Sequence, residues 1–264
     1  MTFAAGLFEG QVVVITGGAS GIGLAVARAF GALGARLVLA SRKADALDAA
    51  VEALAAEGAS ALAVPTDVKD PAQVQALAER VREAYGGVDV LVGSHGANFL
   101  CPVLGMSPNG WRSVLDVVLT GSFHACRYLA PLMVERGRGR IIHIAATNAE
   151  MASPLMAHSG AGKAGLISLT QSLAVELGPS GITVNTVSPG PVATDAANER
   201  LWPQQRAMDL VARPVPLGSR LATARDVVGA VLFLASPAAD FITGADIVID
   251  GGNRLRQVPG LAGQ

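Results

Sequence analysis

The sequence predicts a doubly wound α/β fold: a mainly parallel, seven-stranded sheet with helices on both faces, in a single domain of 264 residues. Three observations carry that expectation. Short apolar, β-branched runs alternate with Ala-rich helical patterns along the whole chain, an order that right-handed crossovers turn into a parallel sheet. The runs are apolar at consecutive positions, which marks strands covered on both faces. The 31 glycines fall between segments rather than in a tract, so they read as turns.

Gln11–Thr16 (QVVVIT) is the first strand, and a glycine turn leads from it into a helix over about Gly21–Leu33 that Gly34 ends. Arg36–Ala40 (RLVLA) is the second strand, followed by an Ala-rich helix, Lys43–Glu57, closed by Gly58. Ala61–Pro65 (ALAVP) is the third, Pro71–Tyr85 a helix, and Val88–Val92 (VDVLV) the fourth strand. Long helical patterns fill Pro108–Val134, and Arg140–Ala145 (RIIHIA) is the fifth strand. Ser159–Leu177 is a helix apolar nearly all round, which predicts burial or a subunit contact. Ile182–Val187 is the sixth strand, Arg225–Ala235 a helix, and Asp246–Ile249 the last strand. No internal repeat or linker-like shift in composition divides the chain, so one domain covers 1–264.

Composition narrows the function. Apolar residues are 51% and charged residues 16%, enough burial to offset chain entropy, so disorder is excluded. Twenty basic against 21 acidic residues leave no surplus to neutralise a phosphate backbone, so no nucleic-acid partner is expected. No run of 18 apolar residues and no signal-like N-terminus is visible, so neither a membrane span nor export is expected. Two cysteines, Cys101 and Cys126, make neither a disulfide framework nor a metal site, which fits a reducing, cytoplasmic setting.

The turn after the first strand reads Thr16-Gly17-Gly18-Ala19-Ser20-Gly21-Ile22-Gly23. Gly17 permits a tight turn, Gly21 lets backbone approach a pyrophosphate, and Gly23 allows close helix packing. The helix start, from Ser20 through Ile22, offers free N–H groups to phosphates. This places a Rossmann-type dinucleotide site in the half of the chain over about 7–150. At the end of the second strand stand Ser41, Arg42 and Lys43, with no carboxylate to repel a 2′-phosphate and a guanidinium to pair with it. NADP(H) is therefore the expected cofactor. Asp67 and Val68, after the third strand, are expected at the adenine.

With these residues in view, the chain resembles the short-chain dehydrogenase/reductase family from about Leu7 to Gly252. The resemblance rests on TGGASGIG (Thr16–Gly23), Asp67-Val68, VDVLV, Ser159-x3-Lys163, Asn185-x3-Pro189-Gly190-Pro191-Val192-x-Thr194 and Asp250-Gly251-Gly252. It implies that Gly96, Lys163, Pro189, Gly190, Val192 and Thr194 also contact the cofactor. The family's usual Asn, Ser, Tyr, Lys set is met only by Lys163. Ser159 stands at the Tyr position, Ala146 at the Ser position and Val118 at the Asn position. ASRK (Ala40–Lys43), GANFLCP (Gly96–Pro102), SPNGW (Ser107–Trp111) and HSGAGKAG (His158–Gly165) are similar to 2,4-dienoyl-CoA reductases, which also carry Ser four residues before the Lys.

The candidate catalytic residues are Lys163, Ser159, His158 and Asn148. Ser159 and Lys163 lie one helical turn apart on a shared face. The lysine can hold ribose hydroxyls and stabilise an enolate-like oxygen, while the serine can donate a hydrogen bond to a carbonyl. In the bland alternative, Lys163 only binds cofactor and Ser159 caps the helix. His158 titrates near neutrality and is a candidate acid, or else a cap or interface histidine. Asn148 and Thr147 follow the fifth strand, at the end of the sheet where ligands bind. His95, Thr147 and Trp202 are the expected substrate-lining residues, with a packed loop role as the alternative for His95. Asp195–Pro216 is expected to form a lid.

The resemblance further implies a homotetramer, with helical and C-terminal interfaces. The expected activity is hydride transfer from NADPH to a conjugated enoyl or dienoyl, or a carbonyl, small-molecule substrate, with an acyl-CoA among the candidates. A non-redox isomerase, lyase or dehydratase with NADP as a structural piece, and a non-catalytic NADPH-binding protein, stay open as alternatives.

Overall fold

In the computed structural model, residues 3–194, 201 and 215–255 are described. The strands are β1 (Val12–Thr16), β2 (Arg36–Ser41), β3 (Ala61–Pro65), β4 (Val90–Gly93), β5 (Gly139–Ile144), β6 (Ile182–Pro189), β7 (Val192–Ala193), β8 (Ala222–Thr223) and β9 (Asp246–Ile249). The α-helices are α1 (Gly21–Gly31), α2 (Ala44–Ala56), α3 (Pro71–Tyr85), α4 (Pro108–Leu115), α5 (Gly121–Val134), α6 (Ala157–Leu177) and α7 (Ala224–Ala235). Seven strands form one parallel sheet in the order β3-β2-β1-β4-β5-β6-β9. All seven expected strands are present, with ends shifted by one or two residues.

The consecutive apolar runs make sense in this sheet. Val13 and Ile15 of β1 face one core, with Phe30 of α1, Leu47 of α2 and Val231 of α7. Val12 and Val14 face the other, with Leu77 of α3, Leu129 of α5 and Val184 of β6. Both faces are thus removed from water, the arrangement that favours unbroken Val/Ile/Leu strands.

The chain adds strands outward from β1 to β3, then returns to add β4 on the other side of β1. The strand order therefore reverses between β1 and β4, and a crevice opens at the C-terminal ends of the strands there.

Two features depart from the expectation. β7 and β8 pair as a separate two-residue parallel ribbon, too short to leave a periodic signal. The helical run 108–134 is interrupted by a π-helical turn, Asp116–Thr120. Its following residue, Gly121, sits where a Cβ would lie 2.6 Å from Val68 Cγ2. This same run, Pro108–Val134, is long and apolar enough by length and composition to cross a membrane, which the sequence analysis did not expect. In the fold that apolarity packs on the sheet, with 56% of its most apolar window buried.

Candidate active site

The cofactor cradle is built from backbone. Gly17 has φ +73°, and a Cβ there would stand 2.7 Å from the backbone nitrogen of His95. The turn after β1 therefore lies directly on the segment after β4. A Cβ on Gly23 would stand 2.2 Å from the Gly17 carbonyl oxygen, so α1 starts hard against that turn. Ser20 is the N-cap, with no side-chain capping bond and no acidic residue in the first turn. Ser20 and Gly21 are exposed and Ile22 is half-buried, so the helix start presents N–H groups outward to an anion. Glycines that admit backbone but no side chain, and an uncapped helix start, fit a nicotinamide dinucleotide.

The other residues expected at the cofactor fall as follows. Half-buried Ser41 ends β2, and Arg42 and Lys43 are exposed beyond it. No ion pair is made by either cation among the described residues. Asp67 accepts a bond from the Lys69 N–H (3.1 Å), and the Val68 carbonyl accepts one from His124 Nδ1 (2.9 Å). Gly96 is exposed after β4. Gly190 donates to the Ile249 carbonyl (2.9 Å), Pro189 ends β6, and Val192 pairs with Ala222. Thr194 Cγ2 comes within 3.5 Å of the position a Cβ on Gly21 would take, so the two ends of the cradle meet.

Lys163, one turn along α6 from Ser159, donates from Nζ to the Ile144 carbonyl at the end of β5 (2.5 Å). Burial disfavours the ammonium and lowers its pKa to about 8. Ser159 is buried and accepts from Asn148 Nδ2 (3.1 Å), so its own hydroxyl hydrogen is not used in that bond. The structure thus brings Asn148, Ser159 and Lys163 together at the ends of β5 and α6. Asn148 Oδ1 is buried without a partner among the described residues. Thr147 is buried in the turn just before it. Val118, buried in the π-helical turn, packs 3.4 Å from where a Cβ on Gly162 would stand. Ser159 does not cap its helix, because α6 begins two residues earlier, after Met156.

His95 and His158 are both buried. His95 does not offer a ring nitrogen to substrate, since both are engaged: Nδ1 with Thr16 Oγ1 (2.6 Å) and Nε2 with Ser122 Oγ (3.1 Å). One neutral tautomer satisfies every partner: Thr16 donates to Nδ1, Nε2–H donates to Ser122, and Ser122 donates to the Val118 carbonyl (2.8 Å). Burial first, then the positive charge of Lys163, holds the His95 pKa down to about 3. His95 is a pin between β1 and the helical layer. His158 is fully buried, and burial lowers its pKa too, which disfavours the imidazolium.

His143 is likewise structural, bonded to Thr170 (2.9 Å) and Cys126 (3.4 Å). Sequence reasoning missed Thr16, Ser122 and the Ile144 carbonyl, whose partners are remote in the chain. Trp202 and nearly all of the expected 195–216 lid lie outside the described residues.

A family described as Enoyl-(Acyl carrier protein) reductase matches residues 17–254. The chain is 34% identical over 253 residues to a probable 2,4-dienoyl-CoA reductase of Bacillus subtilis, covering 95% of this chain and 99% of that one. It is 35% identical over 264 residues to a peroxisomal 2,4-dienoyl-CoA reductase of Pongo abelii (98% and 90% covered). It is 36% identical over 248 residues to a D-threitol dehydrogenase of Mycolicibacterium smegmatis (94% of each). Among solved structures, a short-chain type dehydrogenase/reductase from Mycobacterium marinum superposes with a TM-score of 0.89 at 34% identity, over 94% of this chain and 97% of that one. An actinorhodin polyketide ketoreductase solved with NADPH gives 0.88 at 32% identity (94% and 98%). The glycine cradle, the sheet order and these full-length likenesses agree, and the chain belongs to the short-chain dehydrogenase/reductase family of oxidoreductases.

Proposed function

We propose that this protein is an NADPH-dependent reductase of a conjugated enoyl or dienoyl substrate, carried as an acyl thioester, that works without a phenolic acid. The observation that carries the reading is the Asn148–Ser159 bond beside a half-buried Lys163 ammonium, at the family's Tyr and Lys positions. The 2,4-dienoyl-CoA reductase names of two relatives support the substrate class.

Gly17, Ser20, Gly21, Ile22, Gly23, Gly96, Pro189, Gly190, Val192 and Thr194 would hold the dinucleotide, with Asp67 and Val68 at its adenine. A reduced nicotinamide bound there would supply hydride to a conjugated carbon of the substrate. Electron density then moves to the thioester oxygen. Ser159, fixed by Asn148, donates its hydroxyl hydrogen to that oxygen, and the Lys163 charge stabilises it. Lys163, with a pKa near 8, is also an acid of suitable strength to protonate the enolate carbon, and solvent restores its proton. Val118 and Ala146 add no polar group, so polarisation rather than full proton transfer to oxygen is the chemistry this pair suits.

The test is a panel of hexadienoyl-CoA and simple ketones with NADPH, followed by nicotinamide absorbance. Turnover of the thioester but not of ketones is expected. Conversion without absorbance loss would instead favour an isomerase, lyase or dehydratase. NADPH binding with no conversion would favour a binding protein. Ser159→Ala is expected to cut turnover by roughly tenfold to a thousandfold, the range for one lost transition-state donor, and an unchanged rate removes Ser159 from the mechanism.

The unpaired Arg42 and Lys43 support NADPH over NADH. Arg42→Ala is expected to narrow the NADPH preference by about tenfold to a hundredfold, the worth of one charge-assisted bond to phosphate. Equal Kd values for the two cofactors in the parent protein would contradict the choice. We also propose a cytoplasmic homotetramer. Two unpaired cysteines fit a reducing compartment, and exposed Phe123, Val134 and Val175 on α5 and α6 offer apolar surface for subunit contact.

A further inference from the structure

His158 differs from the other three histidines. His95, His124 and His143 each bond a side chain or carbonyl, whereas neither ring nitrogen of fully buried His158 has a partner. Buried polar atoms left unpaired are costly and rare, so something outside the described chain is expected to satisfy them. The ring sits in the first turn of α6, one residue before Ser159.

One aromatic side chain packs on it. Phe99 lies edge-on to the imidazole, with ring centroids 4.4 Å apart and planes at 63°. Phe99 is only half-buried and belongs to the irregular segment after β4. That segment is tied to the one before α6 by a bond from the Cys101 N–H to the Leu155 carbonyl (2.9 Å). Leu155 has φ +66°, a conformation a leucine holds only under strain. Around this junction Leu100, Val103, Leu104 and Leu155 all expose apolar side chains. Such a rim suits an apolar substrate tail. Burial lowers the pKa of the ring, which disfavours the imidazolium there.

We propose that His158 is a substrate-recognition residue, hydrogen-bonding an uncharged carbonyl-type group (thioester, ketone or amide) when the apolar part of the substrate displaces Phe99. A carboxylate is disfavoured against this ring, because a buried neutral imidazole gives it no counter-charge. The choice of thioester probe rests on the reductase reading given above.

The experiment compares His158→Phe and His158→Gln with the parent, using hexadienoyl-CoA and NADPH. His158→Phe is expected to raise KM for the thioester by about tenfold, the worth of one hydrogen bond, with a smaller change in kcat and an unchanged Kd for NADPH. His158→Gln is expected to recover most of the loss. An unchanged KM in His158→Phe overturns the proposal. Nitrogen-15 histidine NMR gives a readout apart from turnover. Hexadienoyl-CoA with NADP+ is expected to shift the ring signals that vanish in His158→Gln, and free hexadienoate is not. A shift without any reduction would sink the reductase reading and leave the recognition role standing. No shift, with or without turnover, overturns the recognition role.

Discussion

Gly23→Ala is expected to abolish useful cofactor binding, raising the Kd for NADPH by about a hundredfold or more, because oriented helix-start N–H groups supply several charge-assisted bonds at once. The added Cβ would stand 2.2 Å from the Gly17 carbonyl oxygen and 2.9 Å from its carbon. Those are backbone atoms and cannot rotate away, so α1 must move off the turn that follows β1. Overpacking of this kind costs about 1–3 kcal/mol of stability, and Tm is expected to fall by several degrees. Gly229→Ala is the control. Gly229 lies exposed in α7 with nothing within 4 Å of its would-be Cβ. There the substitution is expected to be neutral or stabilising by about 0.5–1 kcal/mol, with Kd unchanged. Calorimetry with NADPH on the two variants decides it. Retention of Kd within about threefold in Gly23→Ala would leave the helix-start account of binding without support.

The sequence made this cradle legible because its chemistry is local. Thr16–Gly23 must turn, approach and pack within eight residues, and each demand selects glycine where it falls. The strands were legible for a similar reason, since burial on both faces writes itself as an unbroken apolar run such as VVVIT. What escaped depends on residues far apart in the chain. His95 reads as a candidate ligand until Thr16, 79 positions before it, and Ser122, 27 after it, occupy both nitrogens. The π-helical turn at Asp116–Thr120 is flanked by Gly121, whose close approach to Val68 no periodicity in 108–134 encodes. Lys163 and Ser159 were picked out by the family resemblance, but the carbonyl that holds the lysine is an anonymous backbone atom of Ile144.

That backbone bond leads to the other large effect. Lys163→Met is expected to lower kcat/KM by about a thousandfold, since it removes both the charge that stabilises the developing oxyanion and the proton that completes the product. The pH profile separates this from a folding defect. Burial makes the ammonium costly and sets its pKa near 8, against an ordinary value of 10.5. The charged form therefore predominates below about pH 8, and kcat/KM of the parent is expected to fall as pH rises through that value. Folding stability responds with the opposite sign. Between the depressed folded pKa and the unfolded one, the unfolded chain binds the proton more tightly, so the contribution of this lysine to stability increases as pH rises. Activity lost above pH 8 while the Tm contribution of Lys163 rises cannot be unfolding. Lys163→Met should erase that contribution, keep Tm within a few degrees of the parent, and show no downward limb in its residual rate near pH 8. A parent kcat/KM that stays flat from pH 7 to 9.5 would mean that Lys163 serves the cofactor alone.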